Sequence, residues 1–182
     1  MITVLSSGRS GSSLVMQTLS IWGYGTIGDR FGHPVHNPKF NRHGYFEVEH
    51  ELLPEYLHFG EEPDNPVIKV GGYGLKWIWD NWGKPTVLIH TKREYMGQVA
   101  SLRKWSGLHP GAVMDSIQND EKMFAKFKRD HPEIPVCELH LNDLHSNPKD
   151  YFTRLAEAVD YRGSIATALL NKELGYASLV FE

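Results

Sequence analysis

Four short runs of apolar and β-branched residues punctuate the chain: Ile2 to Leu5, Val67 to Val70, Thr86 to Ile89 and Pro135 to Leu139. Segments of helical periodicity separate them, and strands alternating with helices predict a parallel α/β sheet. After the first run, Leu14, Val15, Thr18, Leu19 and Trp22 fall on one face of a helix that Gly23 can terminate. The chain therefore opens with strand, Gly-rich turn and helix. After the third run, Tyr95, Val99 and Leu102 form one helical face, expected against the sheet, and Glu94, Gly97, Gln98 and Ser101 form the other. Between 111 and 129, Val113, Ile117, Phe124 and Phe127 share a face, and Lys126, Lys128 and Arg129 suit a helix C-terminus. Asn147-Pro148-Lys149-Asp150 reads as an N-cap, a proline at the first helical position and an acidic first turn, with Phe152, Leu155, Ala156 and Val159 as the buried stripe.

Gly23 to Arg42 is rich in Gly, His, Pro and Asn and lacks periodicity, so it reads as a long loop of the kind that often carries function. Tyr176 to Phe181 reads as a short edge strand or a tail. The expected architecture is one three-layer α/β/α domain over 1–182, P-loop-like, with a central parallel sheet of about four to five strands.

Composition narrows the function classes. The 182 residues carry 19 Lys+Arg and 22 Asp+Glu, a net charge of −3, which disfavours bulk nucleic-acid binding but leaves room for a local cationic pocket. Cys137 is the single cysteine, so neither an intrachain disulfide framework nor a zinc ribbon is available. No apolar run approaches the roughly 18 residues of a membrane span. The first residues lack a basic flank before an apolar stretch, and the expected location is cytoplasmic.

The first turn carries the most chemistry. Ser6-Ser7-Gly8-Arg9-Ser10-Gly11-Ser12-Ser13 lies between strand and helix, where main-chain N–H groups and the positive helix end cradle an anion. Gly8 and Gly11 allow close approach, hydroxyls of Ser10, Ser12 and Ser13 add donors, and Arg9 brings a planar guanidinium suited to phosphate. A plain Gly/Ser turn before a helix competes with this reading. The loop is not that of nucleotide triphosphatases, which need Lys after the second glycine. Nor does it fit the hydrolase pattern G-x-S-x-G. The third strand ends in His90-Thr91-Lys92-Arg93, a cationic edge where a magnesium-holding carboxylate would otherwise be expected.

Three blocks of the chain resemble the sulfotransferases that use 3′-phosphoadenosine-5′-phosphosulfate (PAPS). Gly8-Arg9-Ser10-Gly11-Ser12-Ser13-Leu14 is similar to that family's 5′-phosphosulfate loop, with Arg9 where members carry Lys or Arg. Val87 to Arg93, with Ser101 eight residues beyond Arg93, looks like the 3′-phosphate site. Glu138 to Leu144 followed by Asn147-Pro148 resembles a late strand and helix of the family. The resemblance implies PAPS as donor, its desulfated bisphosphate (PAP) as product, no metal, and in-line transfer to a hydroxyl acceptor.

It also implies that Gly8, Arg9, Ser10, Gly11, Ser12, Ser13, Arg93 and Ser101 bind the donor, with Arg9 serving the leaving group. For the base, His43-Gly44-Tyr45-Phe46-Glu47 resembles a segment of some bacterial members, making Glu47 the first candidate and Glu49, His50 and Asp29 alternatives. A helix-start carboxylate explains Glu47 equally well. Lys69 is similar to a lysine that ends the second strand in many relatives, although a snorkelling lysine accounts for it nearly as well.

Other features read more plainly. His33-x-x-His36 sits in a proline-containing loop without cysteines, and the histidines His33, His36, His43 and His50 suit an acceptor pocket or solvent better than metal. Tyr73, Trp77, Trp79 and Trp82 read mostly as packing residues, with one of them available to stack on adenine. The chain departs from the family at Arg93-Glu94-Tyr95, where R-D-P is usual, and at its end, where only Lys172 and Gly175 match a Gly-rich basic segment. The short chain leaves a sugar, lipid, peptide or small alcohol acceptor held by few elements, or by a second copy in a homo-oligomer. Two other functions stay open: a P-loop small-molecule kinase, and a non-catalytic nucleotide-binding module of the same fold.

Overall fold

A computed structural model of the chain describes residues 1–28 and 65–166. Five strands form one parallel sheet: β1 (Ile2–Leu5), β2 (Gly25–Thr26), β3 (Pro66–Val70), β4 (Val87–Lys92) and β5 (Val136–His140), in the order β2-β3-β1-β4-β5. The registers Leu5↔Val70 and Leu5↔His90 end β1 and β3 level, while β4 runs on to Lys92. Among the described residues the helices are, in chain order, α1 (Ser12–Ile21), α2 (Gly72–Trp82), α3 (Tyr95–Ser106), α4 (Pro110–Asp130), α5 (Leu141–Ser146) and α6 (Pro148–Ala158).

Strand alternation divides the core in two. Ile2, Val4, Val67, Val87, Ile89 and Leu139 pack with Leu14, Val15 and Leu19 of α1 and Phe152 and Leu155 of α6. Leu5, Ile68, Val70 and Leu88 face the opposite way, onto Leu75 and Ile78 of α2 and Phe124 of α4. Three layers result, as the strand and helix pattern implies. Trp77, Trp79 and Trp82 lie half-buried against this second cluster, whereas Tyr73, at the start of α2, is 73% exposed.

Several details differ from the sequence expectation. The Gly23 to Arg42 segment contains β2, two residues that complete the sheet by pairing with Pro66 and Val67. A strand this short leaves no hydrophobic run to read. The apolar face of α3 does not meet the sheet: Val99, Tyr95 and Leu102 pack with Val113, Met114 and Ile117 of α4 instead. In the last block the strand ends at His140, and Leu141 to Ser146 turn into a helix. Asn147 caps α6 as expected, accepting the N–H of Asp150 at 3.3 Å, and Tyr151 joins Phe152, Leu155 and Ala156 in the buried stripe while Val159 lies half-buried beyond the helix. Residues 29–42, the segment containing Glu47, Glu49 and His50, and the chain end containing Lys172, Gly175 and Tyr176 to Phe181 lie outside the described residues.

Candidate anion-binding site

Helix α1, which follows β1, and helix α4, which lies in the crossover from β4 to β5, pack on opposite faces of the sheet. Where that happens, a crevice opens at the C-terminal ends of the strands, here β1 and β4. The loop Ser6 to Ser13 occupies the β1 side. It turns by positive φ at Gly8 (73°), Arg9 (52°) and Gly11 (98°), and a Cβ on Gly11 would come within 3.1 Å of Leu141. The torsion favours glycine there, and a Cβ would in addition make Leu141 give way by a few tenths of an ångström. Arg9 adopts the left-handed region without that freedom, a conformation that costs a residue with a Cβ about 1–2 kcal/mol.

Among the described residues, the main-chain N–H groups of Arg9, Ser10, Gly11 and Ser12 donate to no protein acceptor. Four successive free donors at a helix start form a concentrated positive end. The serine hydroxyls behave differently from the expectation that they add donors to the pocket. Ser10, 1% exposed, bonds Thr91 Oγ1 at 2.8 Å, and Thr91 in turn donates to Leu5 O at 3.0 Å. Ser12 Oγ donates to Ser6 Oγ at 2.8 Å, and Ser6 Oγ also accepts the Gly8 N–H at 3.4 Å. Ser13 Oγ accepts from Lys69 Nζ at 3.4 Å. These hydroxyls brace the loop from behind, so Ser10 and Ser12 present their N–H groups rather than their side chains. Lys69 does not snorkel either: it is 3% exposed beneath the N-terminal turn of α1.

The β4 side is organised by α3. Glu94 caps this helix, its carboxylate accepting from Met96 N at 2.9 Å and Gly97 N at 2.6 Å, bonds that lower its pKa. Capping is what the acidic residue after Arg93 does in this chain. Arg9 Nε donates to Ser101 Oγ at 3.1 Å, bringing the two sequence-predicted sites into contact. Arg93 is half-buried; its pKa is lowered first by burial and then by the charge of Arg9, with Glu94 opposing. Two guanidinium groups thus repel one another across the crevice, and among the described residues neither has a carboxylate within 4.0 Å.

The rest of the expected cationic edge is neutralised. His90 and Lys92 point toward α4 and β5 because alternate strand residues face opposite sides. His90, 1% exposed, places Nε2 3.1 Å from Glu121 Oε1 and accepts from Lys128 Nζ at Nδ1, also 3.1 Å. Lys92 and Lys128 both donate to Glu138, at 2.6 and 3.0 Å. Of the charged residues at this strand end, Arg93 is the one that among the described residues has no carboxylate within 4.0 Å.

A further contributor is one the sequence marks only as part of the polar face of α3. Gln98, on the same α3 face as Ser101, is buried under the loop, where its Nε2 donates to Ser7 O, Ser7 Oγ and Gly8 O at 3.0, 3.0 and 2.7 Å. The three-residue spacing from Ser101 was the available signal; its burial depends on how α3 docks. Among the described residues no cluster of three or more His, Cys, Asp or Glu is arranged to hold a metal ion, and no helix is long and apolar enough to cross a membrane.

Neither a protein-family model nor a curated protein sequence matches the chain. Its structure is similar to the sulfotransferase domain from the Synechococcus PCC 7002 olefin synthase, with a TM-score of 0.61 and 18% identity over 94% of this chain and 76% of that one. The chain therefore has the fold of a sulfotransferase domain, with a five-stranded parallel α/β sheet among the described residues.

Proposed function

We propose that the protein is a sulfotransferase that moves a sulfuryl group from PAPS to a hydroxyl acceptor. The observation that carries this reading is the pair of arginines, Arg9 and Arg93, which among the described residues have no carboxylate within 4.0 Å and flank four N–H groups that donate to no described acceptor, at the tips of adjacent strands. A ligand with one anionic group suits half of this arrangement, and adenosine carrying charge at both 3′ and 5′ positions suits all of it. The fold shared with a sulfotransferase domain supports the same choice.

In this reading Arg9 and the N–H groups of Ser10, Gly11 and Ser12 hold the 5′-phosphosulfate. Arg93 holds the 3′-phosphate, with Ser101 fixing the Arg9 side chain between the two ends. The acceptor oxygen forms a bond to sulfur while the bond from sulfur to the bridging phosphate oxygen breaks, and PAP departs with the electron pair. Arg9 and the loop donors stabilise the charge gathering on that phosphate. The acceptor proton passes to a general base, for which Glu47 is the candidate carried by sequence resemblance, with Glu49, His50 and Asp29 as alternatives. Protein cations replace the metal of P-loop kinases.

Calorimetry on the purified chain tests the choice of ligand. Adenosine 3′,5′-bisphosphate in EDTA is expected to bind at least tenfold more tightly than ATP with Mg²⁺, about 1.4 kcal/mol in favour of the bisphosphate. Tighter binding of ATP–Mg²⁺ would favour the kinase reading. Bisphosphate binding with no sulfate transfer across sugar, phenol, lipid and peptide acceptors would favour the non-catalytic module.

A further inference from the structure

The phosphate loop does not hold its shape by itself. Its path needs left-handed torsions at two successive residues, Gly8 and Arg9, the second of which has a Cβ that resists them. In a trans peptide the C=O and the following N–H point in opposite directions, and no peptide bond in the described residues is cis. Drawing Gly8 O toward α3 therefore turns the Arg9 N–H away from α3. Drawing Ser7 O the same way turns the Gly8 N–H toward Ser6 Oγ, where it is found.

One side chain makes both of those contacts. Gln98 is 4% exposed, and its amide nitrogen faces the two carbonyl oxygens and Ser7 Oγ. An amide oxygen in that place would confront two acceptors, so the partners fix the orientation of the amide. The support continues behind it. Beyond Ser7 lies Glu121, whose pKa His90 and Ser7 help to lower against its burial and whose carboxylate sits 3.1 Å from His90 Nε2.

We propose that Gln98 is a positioning residue for the reaction: it locks the peptide planes of Ser7, Gly8 and Arg9 so that the loop is set for a tetrahedral phosphate or sulfate ester before one arrives. This rests on the anion-site reading above. Because α3 also carries Ser101 and begins directly after Arg93 and Glu94, Gln98 ties the 5′ loop to the helix that orients the 3′ site. Rotation or docking of α3 then moves both ends of the site together.

The test uses Gln98→Met, Gln98→Glu and Gln98→Asn, with sulfate and adenosine 3′,5′-bisphosphate as probes. Binding of each probe to the folded protein is measured by calorimetry, alongside the thermal midpoint with sulfate replaced by chloride at matched ionic strength. Gln98→Met is expected to lose about tenfold affinity for both probes. Gln98→Glu is expected to lose more at pH 8, where a carboxylate faces the carbonyl oxygens, and to recover part of the loss relative to wild type near pH 5, where a protonated acid donates one hydrogen bond. Gln98→Asn keeps a buried amide on a shorter arm, so it should fold where Met does not, with an intermediate loss.

A residue that only stabilises the fold would shift the midpoint and leave the affinity of the folded protein unchanged. Wild-type affinity in any folded variant overturns the proposal, as does a Gln98→Glu loss that is the same at both pH values. Wild-type protein that binds sulfate but shows no preference for the bisphosphate would overturn the sulfotransferase reading and leave Gln98 to be judged on sulfate alone.

Discussion

Two polar regions flank β4, and they are built on opposite principles. On the side facing α4 and β5, His90, Lys92, Glu121, Lys128 and Glu138 form a closed circuit in which every charge has a partner within hydrogen-bonding reach. On the crevice side, Arg9 and Arg93 face one another with no carboxylate within 4.0 Å among the described residues, beside a run of N–H groups that donate to no described acceptor. Buried or half-buried charge is tolerated when paired and costly when not. The paired region has the marks of structure, and the unpaired one has the marks of a site whose counter-charge is a ligand.

The sharpest way to break this contrast is Arg9→Ala. Hydrogen bonds to charged partners contribute about 1.5–3 kcal/mol each, and in the proposed function Arg9 serves the 5′ end directly. Affinity for both adenosine 5′-phosphate and the 3′,5′-bisphosphate is expected to fall by about 30-fold or more, while urea unfolding moves by less than about 1 kcal/mol because relief of the repulsion with Arg93 offsets the lost Ser101 bond. An unfolding shift larger than the binding loss would place Arg9 among the structural residues.

Glu138→Gln probes the other side, with effects on stability and none on anion affinity. Burial pushes the Glu138 carboxyl up, but hydrogen bonds and charges from Lys92 and Lys128 outweigh it and bring the pKa from 4.5 down to about 2. A carboxyl whose folded pKa is depressed stabilises the fold above its ordinary pKa, and that contribution disappears as pH falls from about 4.5 toward 2. Glu121, held down by His90 and Ser7 against its own burial, acts in the same direction. The Glu138 side chain is 39% exposed, so solvent screens the pair, and the variant should lose about 1–2 kcal/mol at pH 7. Its acid unfolding should also be less steep between pH 4.5 and 2 than that of the wild type, as followed by circular dichroism. Equal acid sensitivity in the two proteins would show that the circuit does not bear on stability.

Asn147→Ala lies away from both regions and sets the baseline. Loss of the α6 cap is expected to cost about 1 kcal/mol, measurable in denaturant and without effect on ligand binding.

Much of the fold was legible because its signals are short-range. β1 announces itself by four consecutive apolar or β-branched residues, α1 by its 3.6-residue stripe, and α6 by Asn147-Pro148. β2 was invisible, since two residues carry no pattern and the pairing with β3 is a property of the assembled sheet. The partner of the α3 apolar face was equally hidden: Val99 and Leu102 are apolar whether they meet strands or α4. At the candidate site, Gly8, Arg9 and Gly11 stood out from the strand-to-helix turn, and Arg93 and Ser101 were drawn in largely by resemblance; the structure places Arg9 against Ser101 and near Arg93. What spacing does not reveal is direction. Ser10 and Ser12 turn their hydroxyls inward, Lys92 is neutralised by a residue 46 positions away, and Gln98 earns its place through contacts 90 and 91 positions distant.

The most direct measurement is ligand discrimination by Arg93→Ala. Titrating the variant and the wild type with adenosine 3′,5′-bisphosphate and with adenosine 5′-phosphate, both in EDTA, isolates the 3′ end. The account expects the bisphosphate to weaken by about 30-fold, roughly 2 kcal/mol for a lost charged contact, while the 5′-phosphate changes by less than about threefold, or about 0.6 kcal/mol. Equal losses for the two nucleotides, or no loss for either, would contradict it.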